Sequence, residues 1–396
     1  MSLIDRKWRQ EGMCDASQDE VDAQLLKEGL RRFVVEGLDG FADHIDETGN
    51  IPEDVYQRLV ETGFHAMAIP SGCGGAGGTI LQVITAIDTL ATSSGAVATI
   101  AAMNLVGVQA LSLSQSDSRR SDQLDRMATG ELLSVWSVSN SLLGQELKVT
   151  EVGGILYASG VLNWVPQYGL HTGHLLIAVG QTGAGPVLLG LDLGLPGYDD
   201  SVILVPNQAD LGLRGMSLHA IEFRNRILTD REVLSRDPSS IALVQGIGNV
   251  AFAALTNGIS SASLEYARTY VRERMQFGVP IGSFQSTKVL LGMMVARLEG
   301  SRTLTCRAAR SLSHSQRDVR ESGLALCAMA KWVAAVGAVQ TSTDAVQLHG
   351  GYGFIKDYHV ERLMRDAQMA RMLAGTDELL SIGDQAVTMP RSWRWS

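Results

Sequence analysis

Residues 345–380 read AVQLHGGYGFIKDYHVERLMRDAQMARMLAGTDELL. From Ala325 to Gln347 the chain reads as one long helix, and the paired glycines Gly350 and Gly351 stop it. Paired glycines can cap a helix or let the backbone come close to a ligand, because no Cβ intervenes. Gly350 alone suffices for the cap, so both readings hold together. After them come the segment Arg365-Asp366-Ala367 and a short turn, Leu373-Ala374-Gly375-Thr376.

Working outward, the stretch from Tyr266 to Gln285, YARTYVRERMQFGVPIGSFQ, predicts a helix that ends near Arg274 and opens a turn at Gly278-Val279-Pro280. A guanidinium such as that of Arg274 can fork onto a pyrophosphate, and a neighbouring ring such as Phe277 can pack against adenine. Before this block the pattern changes twice. From about Asp19 to Gly130 apolar residues recur at helical spacing, with breaks at Asp39-Gly40 and from Ser71 to Gly78. From Leu132 to Leu234 short apolar runs, such as Leu175 to Val179 and Val187 to Leu191, alternate with Gly, Pro and Asp turns. Such runs predict an antiparallel sheet or barrel. The expected fold class is therefore α+β: an N-terminal helical domain (1–130), a central antiparallel β-barrel or sandwich domain (131–236) and a C-terminal four-helix bundle (237–396).

Composition sets bounds on partners. A net charge of −9 without a basic run argues against nucleic acid. The cysteines at 14, 73, 306 and 327 show neither a CxxC pair nor metal-ligand spacing, so a reduced, cytoplasmic protein without a metal site is expected. The first residues, MSLIDRKWRQEGMCD, lack the apolar core of a signal peptide. The run from Leu324 to Val339 is interrupted by Lys331 and falls short of a membrane span, so it reads as a buried helix.

The ordered blocks resemble the acyl-CoA dehydrogenase family. That family reads QxxGGxG, then RDA, then a YEGT-type turn, preceded by YxxxRxxFGxPIxxxQ and, in the N-terminal third, IPxxxGGxG. Here the last is matched by Ile69-Pro70 with Gly74-Gly75-Ala76-Gly77. The resemblance implies FAD as cofactor. Arg274 and Phe277 would contact its ADP half, Gln285 would help to hold it, and Gln347 and Gly351 would touch the FAD of a neighbouring subunit in a dimer or tetramer. Thr376 and Glu378 match positions at the ribityl or adenosine region, although Glu378 alone reads equally as a first-turn acid of a last helix. His349 matches a structural or flavin-side position.

The central domain departs from the family pattern. Where the family has TEPxxGSD, the chain has Ser139 to Glu146, SNSLLGQE, which keeps a hydroxyl at Ser139 and the glycine. Where it has W-I-T, the chain has Trp164-Val165-Pro166, so the ring is kept and the hydroxyl donor to flavin N5 is lost.

The base is missing too. The family glutamate that takes the substrate α-proton corresponds to Ala374, and the alternative position on the preceding helix corresponds to Gly248, beside Asn249. Glu265 is the nearest acid on that helix. A positioned base contributes about 10²–10⁴-fold, so its loss implies a substrate with a more acidic proton or its own carboxylate, a different bond broken, or oxygen chemistry. The expected function is an FAD-dependent dehydrogenase of an atypical acyl thioester, on CoA or an acyl carrier protein. An electron-acceptor flavoprotein or oxygen would take the electrons. A flavin-dependent monooxygenase of the same fold and a non-catalytic FAD-binding subunit remain the alternatives.

Overall fold

The computed structural model describes residues 18–114, 117–137, 147–170, 172–193, 200–206, 210–313 and 317–373. Helices come first: α1 (Gln18–Phe33), α2 (Ala42–Thr48), α3 (Glu53–Thr62), α4 (Ile80–Leu90), α5 (Gly95–Leu111) and α6 (Asp117–Ala128). Their ends carry the expected signals. Thr79 caps α4 in a capping box, accepting from the Gln82 N–H while the Gln82 side chain accepts from the Thr79 N–H. The glycine turn before it is structural, because a Cβ on Gly75 would stand 2.2 Å from the Ile69 carbonyl oxygen.

Eight strands follow in one sheet: β1 (Leu132–Ser137), β2 (Leu147–Val152), β3 (Ile155–Gln167), β4 (Gly173–Thr182), β5 (Gly185–Asp192), β6 (Val202–Pro206), β7 (Ser217–Leu228) and β8 (Val233–Ser235). The order is β6-β7-β3-β2-β4-β5-β8, with β1 also on β4. The wholly antiparallel sheet expected from sequence needs correcting. β1 and β2 both run parallel to β4, β1 ending opposite Ala178 and β2 starting opposite Gly180, so the two succeed one another along one edge. Apolar runs carry no strand direction, which is why the sequence could not show this.

The C-terminal part is α7 (Pro238–Glu273), a two-stranded hairpin β9 (Met275–Gln276) and β10 (Val279–Pro280), α8 (Gln285–Leu312), α9 (Arg317–His349) and α10 (Val360–Met372). Asp237 caps α7, with Pro238 in its first turn. Gly246 of α7 lies against Leu324 and Cys327 of α9, and Tyr270 against His349, so α7 and α9 run parallel. α8 runs the other way, since Asn257 bonds Thr305 and Gly246 neighbours Leu312. Val360 of α10 clusters with Leu264 and Ala345, which makes the bundle up-down-up-down. By length and composition α7 and the stretch from Gly323 to Phe354 could each cross a membrane, which corrects the expectation that the run around Lys331 falls short of a span, yet they pack on each other within this bundle as core helices. Lys331, which interrupts the apolar run of α9, is itself buried.

α10 locks the three parts together. Arg365 makes a two-pronged pair with Asp46 of α2 (2.8 and 2.6 Å), bonds Glu361, and donates to the Leu211 carbonyl at 3.0 Å. Asp366 accepts from the Leu213 N–H at 2.6 Å. A Cβ on Gly212 would lie 2.4 Å from the Arg365 carbonyl, so the loop before β7 needs glycine to touch α10. Burial alone would push the Asp46 carboxyl up, but the Arg365 guanidinium, with Arg214 and Arg362, holds it below the usual carboxylate range.

His174, on β4, is buried against Tyr168, and burial lowers its pKa to about 4. Between the free value of 6.5 and about 4 the folded form binds fewer protons than the unfolded chain, so stability rises with pH across this window. Acidification through it is expected to cost on the order of 3 kcal/mol. The urea midpoint should fall from pH 7 to pH 4.5 in the wild type and fall less in His174→Phe. An equal fall in both would show that His174 is not the titrating group.

Candidate cofactor and active site

A cleft of about 380 Å³ opens where the end of α7 meets the end of α9, lined by Tyr270, Arg274, Gln276, Gln347, Gly351 and Tyr352 among others. α7 stops at Glu273, and the chain reverses at Phe277-Gly278, whose φ values of 51° and 79° make the two-residue hairpin turn. That reversal leaves Phe277 92% exposed, edge-on to Phe284. Arg274 caps α7 and lies over the Tyr352 ring at 5.4 Å. It makes no ion pair among the described residues, so its charge is available to an anion.

On the opposite wall Gly350 adopts φ 59° and ends α9. The capping reading of the pair is met at Gly350, while Gly351 lines the cleft and a Cβ there would meet nothing within 4 Å. His349 stacks on Tyr270 with centroids 4.2 Å apart, and its Nδ1 lies 2.8 Å from the Ala345 carbonyl, which makes Nδ1 the N–H donor. Burial lowers its pKa, so the ring is neutral at neutral pH. Of the residues singled out from sequence, Arg274, Gln347 and Gly351 line this one cleft. Phe277 lies on the adjoining hairpin, and Gln285 is the exposed first residue of α8. Tyr270 and Tyr352 were not anticipated, although Tyr270 sits one helical turn before Arg274.

Trp164 lies in a β-bulge of β3, between the pairs Leu162–Ile221 and Val165–His219, with φ 59°. A bulky side chain at positive φ is strained, and such strain of about 1–3 kcal/mol gathers at functional sites. Pro166 is buried opposite Leu218 and offers neither a hydroxyl nor an N–H. Ser139 and the segment to Glu146 lie outside the described residues, as do Ala374, Thr376 and Glu378.

The alternative base position is closed by sterics. Gly248 of α7 faces Trp136 of β1, and a Cβ there would stand 1.8 Å from the indole Cζ3. No carboxylate side chain fits at 248 while Trp136 holds this position. Glu265 is exposed and paired with Arg268 at 2.8 Å, far along α7 from Gly248. Trp136 was missed from sequence, since no local signal ties it to a glycine more than a hundred residues away. Among the described residues no group of three His, Cys, Asp or Glu could hold a metal ion.

Two family models match the chain, "Acyl-CoA dehydrogenase, N-terminal domain" over residues 20–131 and "Acyl-CoA dehydrogenase, C-terminal domain" over residues 247–382. An acyl-CoA dehydrogenase of Bacillus subtilis is 26% identical over 370 residues, covering 90% of this chain and 94% of that protein. Among solved structures, butyryl-CoA dehydrogenase from Megasphaera elsdenii shares the fold with a TM-score of 0.81 at 22% identity, covering 94% of this chain and 99% of that one. A prolyl acyl carrier protein oxidase shares it with a TM-score of 0.81 at 18% identity, covering 94% and 100%.

Proposed function

Because this chain belongs to the acyl-CoA dehydrogenase family, we propose that it is an FAD-dependent dehydrogenase of an acyl thioester whose chemistry does not use a glutamate at either family base position. The observation that carries the second half is the Trp136–Gly248 contact, which leaves no room for a side chain at 248, while position 374 holds alanine. The substrate then needs an α-proton acidified by its own structure, or a different bond to break. A carrier-protein-linked acyl group is our reading within this class. It rests on the sequence from Ser141 to Glu146, which offers an acid and no Lys or Arg before Lys148 to meet the phosphates of CoA. The fold is shared by the prolyl acyl carrier protein oxidase, a likeness of fold alone.

The cleft suits the ADP half of FAD: for the pyrophosphate, a guanidinium at Arg274 that makes no ion pair among the described residues; tyrosine rings beside it; and bare backbone at Gly351. When bound, FAD supplies the hydride acceptor. Since Arg274, Gln347 and Gly351 line one cleft, they would hold one cofactor molecule together. Family resemblance gives that molecule to a neighbouring subunit, so we read the active form as a dimer or tetramer. Phe277 and Phe354, 92% and 77% exposed, flank the cleft region as surface for such a neighbour.

Arg274→Ala is expected to lower FAD affinity about tenfold or more, as for loss of a charge-assisted contact worth about 1.5–3 kcal/mol. Equilibrium dialysis of wild type and variant against FAD and FMN measures it, and light scattering on the same samples reads the oligomer. Equal affinity of wild type for FMN and FAD, or a fully flavinylated monomer, would remove this assignment.

A further inference from the structure

Trp136 does more than fill the space beside Gly248. It is the penultimate residue of β1, a strand buried along its whole length, and its backbone N–H reaches the Met103 Sδ of α5 at 3.3 Å. The next residue, Ser137, donates to the Asn163 carbonyl at 3.5 Å, beside the strained Trp164. The indole therefore sits where β1, α5 and α7 converge, next to the bulge of β3. It is only 4% exposed, and its Nε1 has no hydrogen-bond partner among the described residues. Buried N–H groups are ordinarily paired, and this one stands beside the family base position at Gly248, where a bound acceptor would satisfy it.

We propose that Trp136 is a ligand-binding residue whose indole N–H is held for a carbonyl oxygen of a bound ligand, while its ring forms the pocket wall that a side chain at Gly248 would otherwise provide. This rests on the functional reading above, with the acyl thioester near position 248, a family base position, and the flavin near Trp164, whose family counterpart is a flavin-side residue. Both offer conjugated carbonyl oxygens: those of the flavin pyrimidine ring and that of the thioester. A neutral donor in a water-poor site suits either, because it strengthens the bond without adding a charge that must be desolvated.

The test uses the FAD-loaded protein. Trp136→Phe keeps an aromatic wall and deletes the donor. The FAD dissociation constant is read by dialysis, and the dissociation constant of butyryl-pantetheine by the perturbation of flavin absorbance. A rise of about fivefold to tenfold in the FAD constant assigns the acceptor to the flavin. An unchanged FAD constant with a similar rise for the thioester assigns it to the substrate. No change in either, including the case of a thioester too weak to measure on wild type, overturns the inference while leaving the functional reading intact. Wild type without affinity for FAD overturns that reading and the inference with it. Should the variant not fold, ultraviolet resonance Raman difference spectra of wild type report the indole N–H directly. A tryptophan hydrogen-bonding band that shifts when FAD or the thioester binds supports the assignment, and one that never shifts overturns it.

Discussion

Butyryl-CoA and octanoyl-CoA mixed with the FAD-loaded wild-type protein in a stopped-flow instrument are expected to leave the flavin band near 450 nm unbleached, or to bleach it very slowly (a wavelength of about 450 nm being ordinary for oxidised flavin). Abstraction of the weakly acidic α-proton of a saturated thioester needs a base within hydrogen-bond reach, and such a base contributes about 10²–10⁴-fold. Position 374 holds alanine. Position 248 is closed by the Trp136 ring. Glu265 is engaged with Arg268 on the surface. Ala374→Glu should restore flavin reduction by these substrates by about 10²-fold or more. Rapid bleaching of the wild type would reveal a different base, and Glu378 is then the first residue to mutate.

The second large effect concerns the fold. Arg365→Ala should cost about 3 kcal/mol, because it removes the two-pronged partner of the Asp46 carboxylate, 7% exposed, and leaves it only the looser contact with Arg214 at 4.0 Å. The urea midpoint is the readout. Asp46→Ala in the same background should cost much less than it does alone, since the stranded charge is then gone. Additive losses would mean that the two side chains do not act as a pair. FAD affinity measured in the refolded variant separates this structural role from a cofactor role. The RDA segment reads from sequence as a family signature, and the structure shows it to be a clamp between α10, the helix α2 and the loop before β7.

Some positions of the candidate site were legible because their signals are local. Arg274, Phe277 and Gly278 lie within one helix end and one tight turn, and the glycines that allow close backbone approach at 350 and 351 are adjacent in the chain. The order of helical, sheet and helical parts was equally legible, since apolar periodicity of 3.6 or 2 is a property of short windows. Other features were not. The tyrosines of the cleft come from α7 and from the turn that follows α9, and could be placed with Arg274 only once α7 and α9 were seen to run parallel.

By itself the sequence determined the family, the helix end at Arg274 with the turn that follows it, and the absence of a glutamate at position 374. Only the tertiary structure decided that β1 and β2 run parallel to β4, that Arg365 and Asp366 clamp three parts of the chain, and that Trp136 occupies the space at Gly248. The reason is range: propensity, capping and turn chemistry act over a few residues, whereas strand direction and the exclusion of one side chain by another arise from contacts between segments far apart in the chain, and no local pattern records them.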